Sequence, residues 1–356
     1  MRRFRSVYII TILLVQLFFI SETDAQPAFY SQPLASGEAM NPALAGVSAH
    51  KYYLGGIYQN RQTYDTTNVS TWLFRGAYRI DFDYVKSGYG QKYVDESPFS
   101  LAIGFLTETR RSDSNMLQYR SAYLPIAIHY KIARKHLISV SFAPGLFQYP
   151  NLAESMSVSY IPNPQPITYR AMRSKYQFDY GIGILVGLNK MECWTDDQLY
   201  KFMIGASYWH NGLSDTIPMS KNMPTGTINV HASYLWEINE QWGAIPLVQV
   251  QHQQETVFLG EFTLMYRRHW AFFDRARVGV GYRSAGQIIP SAGFRIFGGK
   301  KRSFGADLAF SYDISIKDQK ESVWHKKGFE ISLLLSPVLQ CWSNSPCSNH
   351  RYFAKL

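Results

Sequence analysis

Beyond Ile20 the sequence contains no apolar run long enough to cross a bilayer as a helix, which excludes a helical membrane protein. Charge is scarce as well. Asp, Glu, Lys and Arg make up 17% of the 356 residues, against about a quarter in an ordinary soluble domain. With three cysteines the chain has no disulfide framework, and no spacing of Cys and His matches a metal site. There is no G-x-S-x-G elbow, no H-E-x-x-H pair and no P-loop, and the glycine-rich Gly279-Val280-Gly281-Tyr282 reads as strand with no helix after it. These absences point away from catalysis. The expected role is that of a pore, a scaffold or a receptor, with no cofactor and no enzymatic activity.

What is abundant is aromatic: 15% of the chain, including 25 Tyr. The N-terminus carries three arginines within Met1 to Arg5, followed by the apolar run Val7 to Ile20. That is the shape of a signal peptide over residues 1–25, with small residues at Thr23 and Ala25 placing cleavage before Gln26. No cysteine follows that position, which argues against lipoprotein processing. An exported, aromatic-rich chain with few charges and no apolar helix fits a transmembrane β-barrel. Only alternate strand residues face lipid there, and Tyr, Trp and Phe collect in girdles at the two interfaces.

Alternating segments of the required length are present. Ser70 to Ile80 (STWLFRGAYRI), Phe99 to Thr107, Ser121 to Ile132 and His136 to Phe147 are the clearest. Others begin near Lys51, Tyr176, Lys201, Thr227, Ile245, Val257, Arg277, Ile288, Ser303 and Gly328, giving an all-β, antiparallel outer-membrane barrel of about fourteen strands over residues 51–338. In Ser303 to Ile314, Phe304, Ala306, Leu308 and Phe310 alternate with Gly305, Asp307, Ala309 and Ser311, which separates a lipid face from a luminal one. Pro125, Pro144, Pro246 and Pro337 interrupt such strands and blur their limits. With both ends in the periplasm, the long connection Gln148 to Lys175 and the stretches Asn211 to Gly226 and Ser315 to Lys327 face outward.

Removing Arg2, Arg3, Arg5, Glu22 and Asp24 takes the formal charge from +10 to about +9. The basic runs Arg110-Arg111, Lys131 to His136, Arg267-Arg268-His269 and Lys300-Lys301-Arg302 fall at expected turns, where they suit lipid headgroups or an acidic partner and not nucleic acid. Cys341 and Cys347, in a tail over residues 339–356, are a candidate disulfide; with His350 they lack a fourth metal ligand. His210 stands four residues before Ser214, beside Asp215, a spacing that suggests an outer-membrane phospholipase. The turn pair Asn211-Gly212 reverses the chain between them and favours a girdle histidine instead.

Residues 26–50 show neither strand alternation nor helical length. Tyr30-Ser31-Gln32, followed by Asn41-Pro42-Ala43-Leu44-Ala45-Gly46, resembles the mature N terminus of the PorP/SprF family, outer-membrane proteins that accompany the type IX secretion system. Tyr58-Gln59-Asn60-Arg61-Gln62 is similar to the family's first strand, although Thr63-Tyr64 stands where a Trp is expected. FMIGASYWH (Phe202 to His210), Gly281-Tyr282-Arg283, Phe310-Ser311-Tyr312-Asp313 and Gly328-Phe329-Glu330-Ile331-Ser332-Leu333 resemble later family motifs in order, while the tail from Gln340 to Leu356 extends beyond the usual end. The resemblance implies an outer-membrane component of type IX protein secretion and of gliding motility. Its partners would be secretion-system proteins and a secreted or surface adhesin, through either cargo anchoring or linkage to the motor and ring. A passive porin is the competing reading. Pro42 fixes φ and Gly46 permits a sharp turn, so Ala43, Leu44 and Ala45 are expected at the periplasmic mouth or in the lower lumen.

Overall fold

The structure is a computed structural model. It describes residues 30–48 and, between 51 and 337, the strands and the shortest turns. Residues 1–29, 49–50, 63–67, 83, 89–90, 96–97, 113–118, 134, 149–175, 191–199, 211–225, 240, 254–255, 268–272, 285, 299–303, 317–326 and 338–356 lie outside the description. The leader, Cys193, Cys341, Cys347, Ser214 and Asp215 are therefore among the residues not described.

A single antiparallel meander makes the wall. It starts with β1 (Tyr52–Gln62) and β2 (Asn68–Asp81), continues through β5 (Phe99–Ser112), and then a strand in two pieces, β6 (Tyr119–Tyr123) and β7 (Ile126–Ile132). β8 (His136–Gln148), β9 (Tyr176–Lys190) and β10 (Tyr200–Trp209) follow, then β11 (Thr227–Tyr234) with its short continuation β12 (Trp236–Glu237). β13 (Trp242–His252), β14 (Thr256–Arg267), β15 (Phe273–Arg283), β16 (Gln287–Gly298), β17 (Phe304–Ser315) and β18 (Lys327–Pro337) complete it. β1 pairs with β18 from Leu54↔Leu335 to Gln62↔Lys327, so the sheet closes on itself and leaves no edge. Counting each interrupted strand once, the wall has fourteen strands.

The two-residue period of the strands sorts side chains between lumen and exterior. Ile103, Ile128, Val140, Ile184, Ile204, Val230, Val278, Phe310 and Leu333 point outward and are between 41% and 58% exposed. An apolar belt of that extent has only lipid to meet. Aromatic pairs flank it at both rims. Phe99 packs on Tyr130 at 4.8 Å and Trp242 on Tyr266 at 4.7 Å at one rim; Tyr58 packs on Trp72 at 4.4 Å at the other. No helix among the described residues is long and apolar enough to cross a membrane; the crossing is made by strands.

Proline shapes the wall locally. Pro125 falls in the break between β6 and β7 and faces the Pro144 region of β8; the break stays joined because Gly104 N–H donates to Pro125 O at 2.7 Å and Leu124 N–H to Pro144 O at 2.9 Å. Pro246 lies inside β13, opposite Phe262, and Pro337 is the last residue of β18. Two features differ from the sequence-based expectation. Arg110 and Arg111 lie within β5 and not at a turn, and a separate hairpin, β3 (Tyr84–Gly88) with β4 (Gln91–Asp95), occupies the connection after β2.

The two ends of the barrel are unlike. The end where the chain passes from Ser48 toward β1 is called the near end, the opposite one the far end. Strand direction places the β3–β4 hairpin and the turn at Ala133 at the near end, and the strand ends Gln148 and Tyr176 at the far end.

The luminal segment and its docking site

Residues 30–48 lie inside the barrel and run from its far half to its near end. Their local structure follows from two prolines. Pro33 opens a four-residue helix, α1 (Pro33–Ser36), and Pro42 opens a 3-10 turn over Pro42–Leu44; in both the missing N–H falls where no intrahelical partner exists. The residue before a proline is held extended, and Asn41 has φ −153° and ψ 115°. That conformation lets its side chain cap the turn, accepting from Ala43 N–H at 2.9 Å.

At the far level the segment meets a charged site. The Glu330 carboxylate accepts from Ser31 N–H at 2.8 Å, Gln32 N–H at 3.0 Å and Gln59 Nε2 at 2.7 Å. Ser31 Oγ donates to Asp313 Oδ1 at 2.6 Å and accepts from Arg61 Nη2 at 3.0 Å and Arg283 Nη2 at 3.3 Å. Both guanidinium groups also reach Asp313 Oδ2, Arg61 Nε at 3.2 Å and Arg283 Nη1 at 3.3 Å. Gln32 is held by Ser332 Oγ, which donates to its Oε1 at 2.7 Å, and donates in turn to Ser311 Oγ and Glu330 O, each at 3.3 Å. Every one of these residues is buried. Two arginines face two carboxylates, and the hydroxyl and amides bond around them, the company that buried charge requires.

Farther down, Glu38, fully buried, pairs with Arg75 of β2 at 2.6 Å. Asn41 then forms the hub of the middle level. Its Nδ2 donates to Ile184 O of β9 at 2.9 Å and sits 3.2 Å from His231 Nε2 of β11. Ser207 Oγ donates to Met40 O at 2.7 Å and Ser139 Oγ to Ala43 O at 2.9 Å. Asn41 can come so close to the wall because Gly183 has no side chain; a Cβ there would collide with Asn41 Oδ1 and stand 3.1 Å from Ala43 N. Below, Ala43 packs with Leu137, Leu185 and Met203, and Ala45 with Tyr53, Ala77, Ala102 and Ala127. Gly46, at φ +70°, turns the chain, and Arg79 Nη1 donates to Gly46 O at 3.0 Å and Ser48 O at 2.8 Å. Two cavities beside the segment measure about 10 and 40 Å³, room for one to a few waters.

The sequence motifs thus converge. Tyr30, Ser31, Gln32 and Asn41 to Gly46 all line one luminal path, with Leu44 half-buried and the rest buried. Arg61, Arg283, Asp313 and Glu330, drawn from four separate motifs, meet around Ser31, and Ser207 of GASYWH holds Met40. Glu38, Arg75 and Gly183 belong to the same path, yet nothing local in the sequence marks their roles. His210 stands elsewhere, stacked on Tyr180 with centroids 4.9 Å apart and 3.3 Å from Asp179. Asp179 is already engaged by Tyr123 Oη and Tyr180 N–H.

Among solved structures the chain is similar to a FadL homologue of Pseudomonas aeruginosa, with a TM-score of 0.50 and 11% identity over 87% of this chain and 94% of that one. It is also similar to the toluene transporter TodX of Pseudomonas putida, at 0.48 and 10%, over 89% and 99% of the two chains. At such identities the likeness is one of barrel fold. Comparison with characterised proteins by sequence gives no match. A family description, type IX secretion system membrane protein PorP/SprF, matches residues 22–334. With nearly the whole wall and the luminal segment inside that match, the chain belongs to the PorP/SprF family of type IX secretion system membrane proteins.

Proposed function

We propose that this outer-membrane barrel is a non-conducting scaffold at which the type IX secretion system anchors a secreted or surface-displayed protein. The observation that carries this reading is the filled lumen. Residues 30–48 are held from far to near level by hydrogen bonds and ion pairs to strands on both sides of the lumen, with cavities of about 10 and 40 Å³ beside them. A wall of fourteen strands otherwise encloses enough space for solute. Binding, and not catalysis, is the role this suits. Asp179 beside His210 serves a rim contact with Tyr123 and Tyr180.

The near end is assigned to the periplasm, since barrel strands are joined by short periplasmic turns and longer outer connections. Anchoring then uses the far rim and the connection 149–175, rich in Tyr. Linkage to the motor and ring is the second reading, and the β3–β4 hairpin, which stands apart from the wall at the near end, favours it.

Two measurements test the proposal. In planar bilayers the purified protein is expected to give no large steady current; a stable open channel would overturn the scaffold reading. Affinity purification from native outer membranes followed by mass spectrometry separates the two roles. Recovery of a surface adhesin or sorting-domain protein selects anchoring, and recovery of periplasmic ring and motor components selects linkage.

A further inference from the structure

The charged site around Ser31 straddles the seam where the barrel closes. Gln59 and Arg61 belong to β1, the first strand; Glu330 and Ser332 belong to β18, the last; Asp313 is on the adjoining β17. Ser31 N–H and Glu330 are 299 residues apart in sequence, and the seam itself, from Leu54↔Leu335 to Gln62↔Lys327, is the longest-range pairing in the wall. No other strand pair closes so long a loop. From inside, Ser31 and Gln32 bond to Arg61 on one side of the seam and to Asp313, Glu330 and Ser332 on the other.

We infer that Tyr30–Gln32 is the clasp that initiates barrel closure: captured by the C-terminal hairpin β17–β18, it delivers β1 to β18. The physical case is one of tether length. In an open chain the first strand must find the last across about 280 residues. Capture itself spans 299 residues, but it needs only two residues to be placed; once Ser31 and Gln32 are bound to Glu330, Asp313 and Ser332, the tether from Gln32 to Gln59, which pairs with Glu330, is about 27 residues. Loop-closure probability falls roughly as the three-halves power of length, so capture raises the concentration of β1 at β18 on the order of thirty-fold. The middle level of the segment does not have this leverage. Asn41, Met40 and Ala43 bond to β8, β9, β10 and β11, which lie across the lumen from the seam.

Refolding of the full mature chain from urea into detergent micelles tests this, with closure read by the faster migration of unheated folded barrel on gels. Seam variants Ser31→Ala, Gln32→Ala and Glu330→Gln are compared with Asn41→Ala and Ser139→Ala. The seam variants are expected to slow closing in proportion to their loss of equilibrium stability, about tenfold in rate for a tenfold loss, a φ-value near 1; the comparators are expected to speed opening, with φ below about 0.3. Seam variants that leave the closing rate unchanged would overturn the inference, and so would comparators that slow closing equally. Should Glu330→Gln fail to fold, Gln32→Ala removes only neutral hydrogen bonds and keeps the comparison measurable.

Discussion

The two ends of the luminal segment are recognised by opposite chemistry. At Ser31 and Gln32 the wall offers two guanidinium groups, two carboxylates and a ring of hydroxyls and amides, so that register is set by charge and hydrogen-bond direction. At Asn41 to Gly46 it offers a glycine floor, alanines and apolar side chains, while Ser139, His231 and Arg79 bond to backbone carbonyls or to Asn41, the one polar side chain the stretch brings. Buried ionic networks tolerate no missing member, whereas apolar contacts degrade by degrees. The far end of the segment is therefore specified almost all-or-none and the near end by fit.

Four substitutions break or sharpen that contrast, each read as a shift in urea unfolding of the purified barrel in micelles. Asp313→Ala leaves Arg61 and Arg283 buried without their shared carboxylate and should cost the most, about 3–5 kcal/mol. A loss below about 1 kcal/mol would mean the charges are not confined as described. Gly183→Ala places a methyl group against Asn41 and should cost about 1–3 kcal/mol by overpacking. Asn41→Ala removes the cap and the bonds to Ile184 and His231, for about 1–2 kcal/mol. Combined, the last two should be less than additive, because the methyl group then enters vacated space; strict additivity would place Asn41 away from Gly183. Ser139→Ala, losing one hydrogen bond to Ala43 O, should cost about 1 kcal/mol and leave the far end untouched.

Most of the wall could be read from the sequence, because a lipid-facing strand writes its period directly into the chain. Ser303 to Ile314 is an example: the alternation assigned Asp307 and Ser311 to the lumen and Leu308 and Phe310 to lipid, and these four side chains are where the alternation put them. The β3–β4 hairpin lay hidden, since five-residue strands beyond the membrane carry no such constraint. The docking site was legible only in fragments. The motifs containing Arg61, Arg283, Asp313 and Glu330 could be quoted in order, but a barrel brings them together through strand register, a long-range property no local pattern encodes. The close approach of Asn41 to Gly183 is likewise a product of long-range register. Cys341 and Cys347 fall outside the described residues.

The luminal segment is also a gauge of height. Ser31 sits beside Arg61, and Ser48 beside Arg79, whose N–H bonds to Lys51 O. Residues 31–48 and residues 51–61 therefore join the same two heights of the wall, one path inside the barrel and one within it. Along the strand that interval is about 33 Å. Lengthening β1 and β2 by a pair of residues would pull one docking level away from its fixed partner, and an insertion in the segment would do the same from inside. Wall and filling can change length only together, which ties the thickness of membrane this barrel spans to the number of residues between its first serine clasp and its last glycine turn.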